Sequence, residues 1–541
     1  MPAAPNMTRR NFVSTVAGTA AMLAGSALAA RGAADGAAPA ASSRRRVIWN
    51  NDGDDLRFVA FRGTRSSGIE WLWTARNPNA LALPEKFSSV QEFLDLRMTA
   101  LRGIPVDTIS FCGIFNWPAW EMPRDRIAVL GDDPIRPIVE FCHGLGKEFF
   151  FNIRMNDCHS SVHFHGPAWW EPFRKNSPHL IQSKIPAEDW ERVFLPWIRG
   201  ESQTYPLQAV EDRRGPANQD LQSWSAFDYA RPEVRNYFLG LVRQVCERYD
   251  VDGVDLDWLR WPYFFRFGDE LRGIPLMNDF VRRVADTVRA QAKRRGRPIA
   301  IAMRVPDSPG RAAEIGLDVV TWIREGWVDV LVAGNGMTFS ASLQRWIELA
   351  APRQIPVYGC ITQNAPGLAD PAAVRGASQA LWQQGVSGLY HFNHFIPAEY
   401  GTITDGADRS RLAGLTKTYQ VDSSFPRAWN GTVVSGPLPL DFTSCAEATE
   451  IDIALAIPES LDGARALWLE AGWQGDGMEA RTRWLVNGVV ATRKGKGEGG
   501  KLLYRPDGLR AGQNQLRVTV EPARPPTPAI LQSVRITVER G

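Results

Sequence analysis

Short apolar runs separated by longer amphipathic stretches occupy most of the chain after residue 43. The runs are rich in Val, Ile and Phe, which is typical of buried strands, and helical periodicity fills most of the intervals. Eight runs are predicted as strands: Val47–Asn50, Thr108–Cys112, Glu148–Arg154, Val254–Trp258, Ile299–Val305, Val328–Gly334, Pro356–Ile361 and Gly388–Asn393. Eight strands that alternate with helices predict an α/β fold, a (β/α)8 TIM barrel over residues 44–421.

The pattern changes at about residue 422, where helical periodicity ends and apolar and polar residues begin to alternate. Six short strands are predicted there: Ile451–Ile457, Ala466–Trp473, Thr482–Asn487, Lys501–Tyr504, Gln515–Val520 and Val534–Val538. Asn487-Gly488 is a hairpin turn signal. Residues 422–541 are therefore predicted to form an all-β sandwich. This domain either packs against the barrel or binds sugar through Trp473 or Trp484, and packing is favoured because nothing in it resembles a site.

The fourth predicted strand of the barrel carries two carboxylates on one face. Val254 and Leu256 point one way along it, and Asp255 and Asp257 point the other way. Inward side chains at the carboxyl ends of barrel strands line the active site, so we expect both aspartates to rise into a pocket. The alternative is that they only neutralise buried arginines and hold the barrel together.

Polar residues also gather at the carboxyl ends of the other predicted strands, where a barrel enzyme would bind a ligand with many hydroxyl groups. The predicted substrate-binding residues are Asn50, Asp52, Trp117, Arg154, Asn156, His159, Trp258, Arg260, Arg304, Asn335, His391 and Asn393. Residue parity places Arg154 and Arg304 inside the barrel, close to the two aspartates. One arginine is expected to hold Asp255 ionised and leave Asp257 free to act, with plain ion pairing as the alternative.

The stretch from Asp252 to Pro262 resembles the strand-four signature of the TIM-barrel glycosidases. It is close to the Asp-Gly-x-Asp-x-Asp-x-Glu pattern of the family 18 chitinases, but Leu259 stands where that family has its acid. The longer form, with Arg260 and Pro262, is more similar to the glycosyl hydrolase-like 10 barrels. That resemblance implies that Asp257 is the catalytic candidate.

Two other stretches carry the same resemblance, namely Arg154-Met155-Asn156-Asp157 and Tyr390-His391-Phe392-Asn393. The resemblance to the glycosyl hydrolase-like 10 barrels covers about residues 44 to 421 and implies a TIM barrel that acts on carbohydrate. The segment after residue 421 resembles the jelly-roll accessory modules of carbohydrate enzymes.

These observations predict an exported glycoside hydrolase that acts on an oligo- or polysaccharide. Asp257 is the first catalytic candidate, and Asp307 and Asp157, at neighbouring strand ends, are candidates for the second carboxylate. A substrate-assisted route is also open, in which a 2-acetamido sugar supplies the nucleophile, Asp255 orients it and Asp257 is the acid. The alternative function is a non-catalytic carbohydrate-binding protein on the same scaffold.

A long insertion follows the third predicted strand, between His159 and Tyr229, and loops of this length usually have a function. It contains five Trp residues: Trp169, Trp170, Trp190, Trp197 and Trp224. Because an indole ring stacks on the apolar face of a sugar, one or two of them are expected to contact ligand. The alternative is that most of them build a small core within the insertion.

The start of the chain predicts export. Thr8-Arg9-Arg10-Asn11-Phe12 is a twin-arginine signature, and Ala27-Leu28-Ala29 is a cleavage site of the A-x-A type. We assign residues 1–29 to a signal peptide read by the twin-arginine translocase, residues 30–43 to a linker, and the mature chain to the periplasm or the outside. Removing the signal lowers the formal net charge from +3 to +1 (3 − 2), which predicts no nucleic-acid partner. No membrane partner is expected after cleavage.

No cofactor and no metal are predicted. His159, His163 and His165 could present imidazoles on one side, but Cys158 is the only cysteine near them. No Gly-rich phosphate loop or G-x-S-x-G motif occurs, and the acidic run after Asn51 lacks the rest of a calcium loop. The six cysteines form no C-x-x-C pair and are predicted to be buried free thiols.

Overall fold

The computed structural model describes residues 47–51, 53, 89–114, 133–158, 172–181, 183–214, 224–336, 339, 341–362, 370–394, 400–423 and 436–541. Eight parallel strands close a barrel in chain order: β1 (Val47–Asn51), β2 (Thr108–Ile114), β3 (Glu148–Arg154), β4 (Gly253–Asp257), β5 (Ala300–Val305), β6 (Val330–Ala333), β7 (Val357–Thr362) and β8 (Gly388–Phe392). The predicted TIM barrel is confirmed, and every strand boundary lies within two residues of its predicted place.

Helices follow or precede the strands around the barrel. The α-helices are Val90–Phe93, Ile135–Gly144, Pro172–Asn176, Ala187–Asp189, Leu195–Ile198, Pro206–Arg214, Pro232–Arg248, Glu270–Arg295, Pro309–Glu314, Val319–Glu325, Gln344–Ala350, Pro371–Gln383, Gly401–Ala407, Arg409–Ala413 and Met478–Arg481. Leu94–Met98 and Trp190–Phe194 are π-helical, and Thr99–Gly103, Pro178–Leu180, Ala351–Arg353 and Glu498–Gly500 are 3₁₀ segments. Among the described residues, no helix has the length and apolar character needed to cross a membrane.

Side-chain alternation divides the barrel strands into an outer and an inner face. The outer residues, such as Leu256 and Met303, belong to the large core under the helices, whereas Phe150 and Tyr358 belong to a separate interior cluster. The strand register puts Asn152, Asp255 and Ala302 side by side, and the row above them is Arg154, Asp257 and Arg304. Charged residues therefore occupy the carboxyl end of the barrel interior.

The C-terminal part of the chain is all-β, as predicted. Its strands are β9 (Lys417–Gln420), β10 (Leu440–Asp441), β11 (Thr449–Ile457), β12 (Ala466–Gln474), β13 (Thr482–Val486), β14 (Val489–Val490), β15 (Thr492–Lys496), β16 (Leu502–Arg505), β17 (Gly512–Val520) and β18 (Ile530–Glu539). One antiparallel sheet has the order β10-β18-β12-β16-β15, with β9 also paired to β18, and the other has the order β11-β17-β13-β14. All six predicted strands are present, and β9, β10, β14 and β15 are additional.

Strand β9 connects the barrel to the C-terminal sheet. Gly376, inside the helix Pro371–Gln383, lies so close to β9 that a Cβ there would stand 2.1 Å from the Thr418 carbonyl oxygen. The Lys417 ammonium is fully buried and donates to the Leu412 and Leu415 carbonyls, both at 2.7 Å. Close backbone approach and a buried charge fix this junction between the helix and the sheet.

Candidate active site at the carboxyl end of the barrel

Asp257, the last residue of β4, is held by a bidentate ion pair. Arg304 on β5 donates from Nε to Oδ1 and from Nη2 to Oδ2, each at 2.9 Å, and the Leu259 N–H adds a third bond at 3.0 Å. Both charged side chains are fully buried. Burial lowers the pKa of the Arg304 guanidinium, but the charge of Asp257 and its hydrogen bonds, together with the nearby Cys360 and Tyr390, outweigh burial, and the pKa lies above its ordinary value. The pair thus fixes the position of the carboxylate.

Asp255 lies one row deeper, and none of the described residues forms an ion pair with it. Its Oδ2 accepts hydrogen bonds from the Ser110 hydroxyl at 2.5 Å, the Tyr390 hydroxyl at 2.7 Å and the Asn152 amide at 3.0 Å. Burial raises the pKa of Asp255, and these three donors offset only part of that rise. Asp255 therefore holds its proton more tightly than an exposed aspartic acid does.

The prediction that an arginine holds Asp255 while Asp257 stays free is wrong. The strand register explains the error, because Arg304 is the direct neighbour of Asp257 across β4 and β5, whereas the neighbour of Asp255 on β5 is Ala302. The plain ion pairing that we kept as an alternative describes Asp257.

Replacing Asp255 by Asn is expected to change how stability depends on pH. The pKa of Asp255 is raised from 3.8, so the folded state binds more protons than the unfolded state above that pH. The stability contributed by Asp255 is full below pH 3.8 and falls as pH rises through the folded pKa. Urea unfolding between pH 4 and pH 8 should therefore show D255N gaining stability relative to the wild type as pH rises.

The control for this measurement is Asp452, whose pKa is lowered by hydrogen bonds from Arg517. Its contribution to stability is full above pH 3.8 and is lost only as pH falls below that value through the folded pKa, so the curve of D452N should stay parallel to that of the wild type between pH 4 and pH 8. Parallel pH curves for the wild type and D255N would contradict the raised pKa of Asp255.

The residues after β3 form a second buried ion pair. The Arg154 guanidinium donates to Asp157 Oδ2 at 2.9 Å, and both side chains are almost fully buried. Asn156 donates to the Phe227 carbonyl at 2.9 Å and accepts from the Phe227 N–H at 2.7 Å. Asn156 therefore anchors the end of the insertion to the barrel, and its side chain is engaged in that contact.

Two predicted substrate-binding residues face away from the barrel interior. Trp258 is fully buried in the outer core, with ring centroids 5.3 Å from Phe264 and 5.4 Å from Trp322. His391 lies between two residues of the interior cluster on β8 and so points outward, where its ring stands 5.1 Å from that of His394. The structure therefore does not support ligand contacts by Trp258 or His391, because strand alternation turns both toward the helices.

Replacing His391 by Phe is expected to flatten the loss of stability in mild acid. Within the described part of the chain neither ring nitrogen of His391 has a hydrogen-bond partner, and burial, followed by the nearby His394, lowers its pKa well below 6.5. The unfolded state then binds more protons below pH 6.5, so wild-type stability falls there by up to about 1.4 kcal/mol per pH unit from this residue. Chemical unfolding between pH 5 and pH 8 checks this, and a difference that stays constant across that range would refute it.

The remaining predicted residues lie nearer the mouth of the barrel. Asn50 donates to the Ser110 hydroxyl at 3.3 Å, and its Oδ1 accepts the Asn393 N–H at 3.2 Å. The Arg260 guanidinium lies 5.7 Å from the centre of the Phe392 ring, whose face also covers Arg304 at 3.9 Å. These contacts link the ends of β1, β4, β5 and β8 around the Asp257 pair.

Asp307 and Asn335 are the more open positions. Asp307 follows β5, its side chain is 26% exposed, and its Oδ1 lies 3.7 Å from Arg311 Nε. Asn335 follows β6 and is half-buried. Asp307 is thus the most exposed of the four carboxyl groups that the sequence suggests for catalysis.

Several predicted residues lie outside the described part of the chain: Asp52, Trp117, His159, His163, His165, Trp169, Trp170 and the signal segment. Within the insertion, Trp190 and Trp224 are buried, and the Trp197 ring lies 5.5 Å from that of Trp224. Trp190 and Trp224 belong to the large core under the helices and Trp197 packs against it, so these three have a packing role, although the core is not separate from that of the barrel. Trp484 is also fully buried and Trp473 is partly buried.

Sequence reasoning missed three residues of this site. Ser110 and Tyr390 hold Asp255, and Phe392 covers Arg304. The inward parity of β2 and β8 was the signal that could have identified them. All six cysteines lie in the described part and are free thiols, and no group of three or more His, Cys, Asp or Glu residues in that part could hold a metal ion.

Neither a protein-family model nor a curated protein sequence matches this chain. Solved structures with a similar fold include a glycoside hydrolase family 36 α-galactosidase from Geobacillus stearothermophilus, at 11% identity and a TM-score of 0.36, over 91% of this chain and 55% of that one. The α-amylases of Anoxybacillus and of Malbranchea cinnamomea also match at 11% identity and TM-scores of 0.36. The match with the Anoxybacillus enzyme covers 89% of this chain and 98% of that enzyme. The match with the Malbranchea cinnamomea enzyme covers 88% of this chain and 96% of that enzyme. The chain spans about half the length of the α-galactosidase, and similarity at this level identifies no activity.

Proposed function

We propose that this protein is a glycoside hydrolase that acts on an oligo- or polysaccharide at the carboxyl end of its barrel. The observation that carries the proposal is the Asp257 carboxylate, placed by β4 and fixed by two hydrogen bonds from Arg304. Glycosidic cleavage passes through an oxocarbenium-like transition state, which a fixed carboxylate stabilises.

Three of the candidate carboxyl groups divide the chemistry by their surroundings. Asp257 accepts three hydrogen bonds and faces a guanidinium, which suits a nucleophile or an electrostatic stabiliser better than a proton donor. Asp307, partly exposed at the neighbouring strand end, is our candidate for the general acid. Asp255 has a structural role at the bottom of the site, where it accepts hydrogen bonds from Ser110 and Tyr390.

A second candidate function is carbohydrate binding without cleavage. It is favoured by one observation, namely that both oxygens of Asp257 are already engaged by Arg304 and that Asp255 and Asp257 are fully buried. A carboxylate that never leaves its arginine would hold a barrel together without reacting.

The experiment that tests the proposal is glycan release by the purified protein from a panel of neutral, acidic and 2-acetamido polysaccharides. New reducing ends from the wild type, lost on substitution of Asp257, would support hydrolysis. Unchanged glycans, together with retention of the protein on one of them, would support the binding function and contradict the enzyme.

We also propose that the mature chain acts after export through the twin-arginine pathway, in the periplasm or outside the cell. The support is the Thr8–Phe12 motif and the apolar run that follows it. Replacing Arg9 and Arg10 together by Lys is expected to leave the protein in the cytoplasm, as fractionation would show. Normal export of that variant would refute the proposal.

A further inference from the structure

Three of the five large hydrophobic side chains that are well exposed in the described part of the chain lie in one short stretch of sequence, between residues 267 and 276. Phe267 is 68% exposed, Leu271 is 67% exposed and Leu276 is 37% exposed. Leu271 lies in the first turn of the helix Glu270–Arg295, four residues after Phe267. Single exposed hydrophobic residues are ordinary, but a cluster marks a candidate contact surface. We call Phe267 and Leu271 the rim surface.

The rim surface stands on a rigid support. Phe265, two residues before Phe267, is fully buried between two glycines, where a Cβ at Gly273 would come within 2.3 Å of its ring and one at Gly316 within 2.7 Å. The Tyr263 carbonyl accepts from the Ser183 hydroxyl at 2.6 Å. A surface held in this way loses little conformational entropy when a ligand binds.

The rim surface lies at the same end of the barrel as Asp257. The loop that carries Phe267 begins directly after Asp257, because it connects the carboxyl end of β4 to the helix Glu270–Arg295. In a TIM barrel, such loops surround the mouth of the site. A long ligand that reaches Asp257 can therefore extend over this rim.

The charges around the rim surface are balanced in pairs. Lys184 pairs with Glu270 at 3.0 Å, Arg272 with Asp269 at 3.1 Å, and Arg266 lies 3.8 Å from Asp228. A rim without excess charge offers no attraction to an anionic polymer or an anionic lipid surface. The Lys184 ammonium lies 6.0 Å from the centre of the Phe267 ring, which is still 68% exposed, and the exposed part of the ring suits a neutral ligand with an apolar side, such as the C–H face of a sugar ring.

We propose that Phe267 and Leu271 form a remote subsite for the neutral sugar residues of a glycan that is cleaved at Asp257, an inference that rests on the proposed function. A sugar that covers one face of Phe267 buries enough apolar area for about a tenfold gain in affinity. The subsite would make the protein prefer long glycans to short ones.

The test is affinity electrophoresis of purified D257N protein in gels that contain galactomannan, xyloglucan, laminarin or soluble starch, with alginate and polygalacturonate as anionic probes. One of the neutral polysaccharides is expected to retard the D257N protein, which is the parent in this test. Adding F267A and L271A to the parent should raise the dissociation constant for that polysaccharide about tenfold. The matched control adds V489A and V490A, the other exposed apolar pair, at 47% and 45% exposure on the C-terminal sheet, and should bind like the parent.

Cleavage by the F267A/L271A variant with Asp257 intact separates the two proposals. Loss of activity on long but not short glycans supports the subsite, whereas equal activity and equal retardation overturn the subsite and leave the hydrolase standing. Rim-dependent binding by a protein that cleaves nothing overturns the hydrolase and keeps the rim as a sugar-binding surface. The subsite is overturned if no neutral polysaccharide retards the parent. It is also overturned if the F267A and L271A substitutions convert a dimer to a monomer and leave glycan binding unchanged.

Discussion

Replacing Asp257 by Asn is expected to lower kcat on the cleaved glycan by about a thousandfold, equivalent to ~4 kcal/mol of transition-state stabilisation. The amide keeps the shape of the side chain but removes the negative charge that faces the reacting sugar. It also replaces one acceptor of the Arg304 fork by an N–H group, so the guanidinium loses a hydrogen bond. Initial rates of reducing-end release by D257N and the wild type, at saturating glycan, measure the loss.

The matched control is Asp329, just before β6, at the opposite end of the barrel. Arg289 donates to both of its oxygens, at 2.8 Å and 2.5 Å, so D329N disturbs another bidentate ion pair, a partly exposed one, far from the proposed site. We expect D329N to keep its kcat while losing some stability. If D257N stays within about threefold of wild-type kcat, the assignment of Asp257 fails. If both variants lose activity equally, the effect is structural.

Replacing Gly376 by Ala is expected to destabilise the protein by about 3 kcal/mol, at the upper end of the usual cost of overpacking. The added methyl group would stand 2.1 Å from the Thr418 carbonyl oxygen, which belongs to the backbone of β9 and is fixed by its pairing with β18. Either the helix Pro371–Gln383 or β9 must move. Thermal unfolding, together with hydrogen exchange of the β9 amides, would show the loss.

Gly240 provides the control, because it lies within the helix Pro232–Arg248 and, apart from the backbone of that helix and its chain neighbours, no atom of the described residues lies within 4 Å of its would-be Cβ. Alanine there removes backbone entropy from the unfolded chain and should stabilise by about 0.5–1 kcal/mol. Opposite shifts of the two melting temperatures support the close approach at Gly376. A stabilised G376A would mean that the helix and β9 are not in tight contact.

The barrel was predictable because its signal is local. Each buried strand is a short apolar run, and period-two alternation in β4 placed Asp255 and Asp257 inside from the sequence alone. The partner of each aspartate was not predictable, since it depends on which residues of neighbouring strands stand side by side. That register is set by closure of the whole barrel.

Two errors came from weighing residue type above parity. Trp258 follows an inward Asp257, and His391 lies between an inward Tyr390 and an inward Phe392, so alternation turns both outward. We predicted substrate contacts for both residues from their chemistry alone, because Trp258 is an aromatic residue beside a catalytic candidate and His391 is a histidine at a strand end. Strand β9 was missed for another reason. It is short and largely polar, and it is buried because it pairs with β18, more than a hundred residues later.

Because β9 pairs with β18, the barrel and the C-terminal sheet are completed at different times during synthesis. The barrel has all eight of its strands once residue 392 has left the ribosome, and each strand pairs with the next one in the chain apart from the closing contact between β1 and β8. The sheet that contains β9 must wait for Ile530–Glu539, because β9, β10 and β12 all pair with that strand. Until that strand is made, β18 does not cover the junction beside Gly376. An uncovered surface on a nascent chain promotes aggregation and is a binding site for chaperones. A chain that stops before residue 530 would present a finished barrel with an unprotected flank.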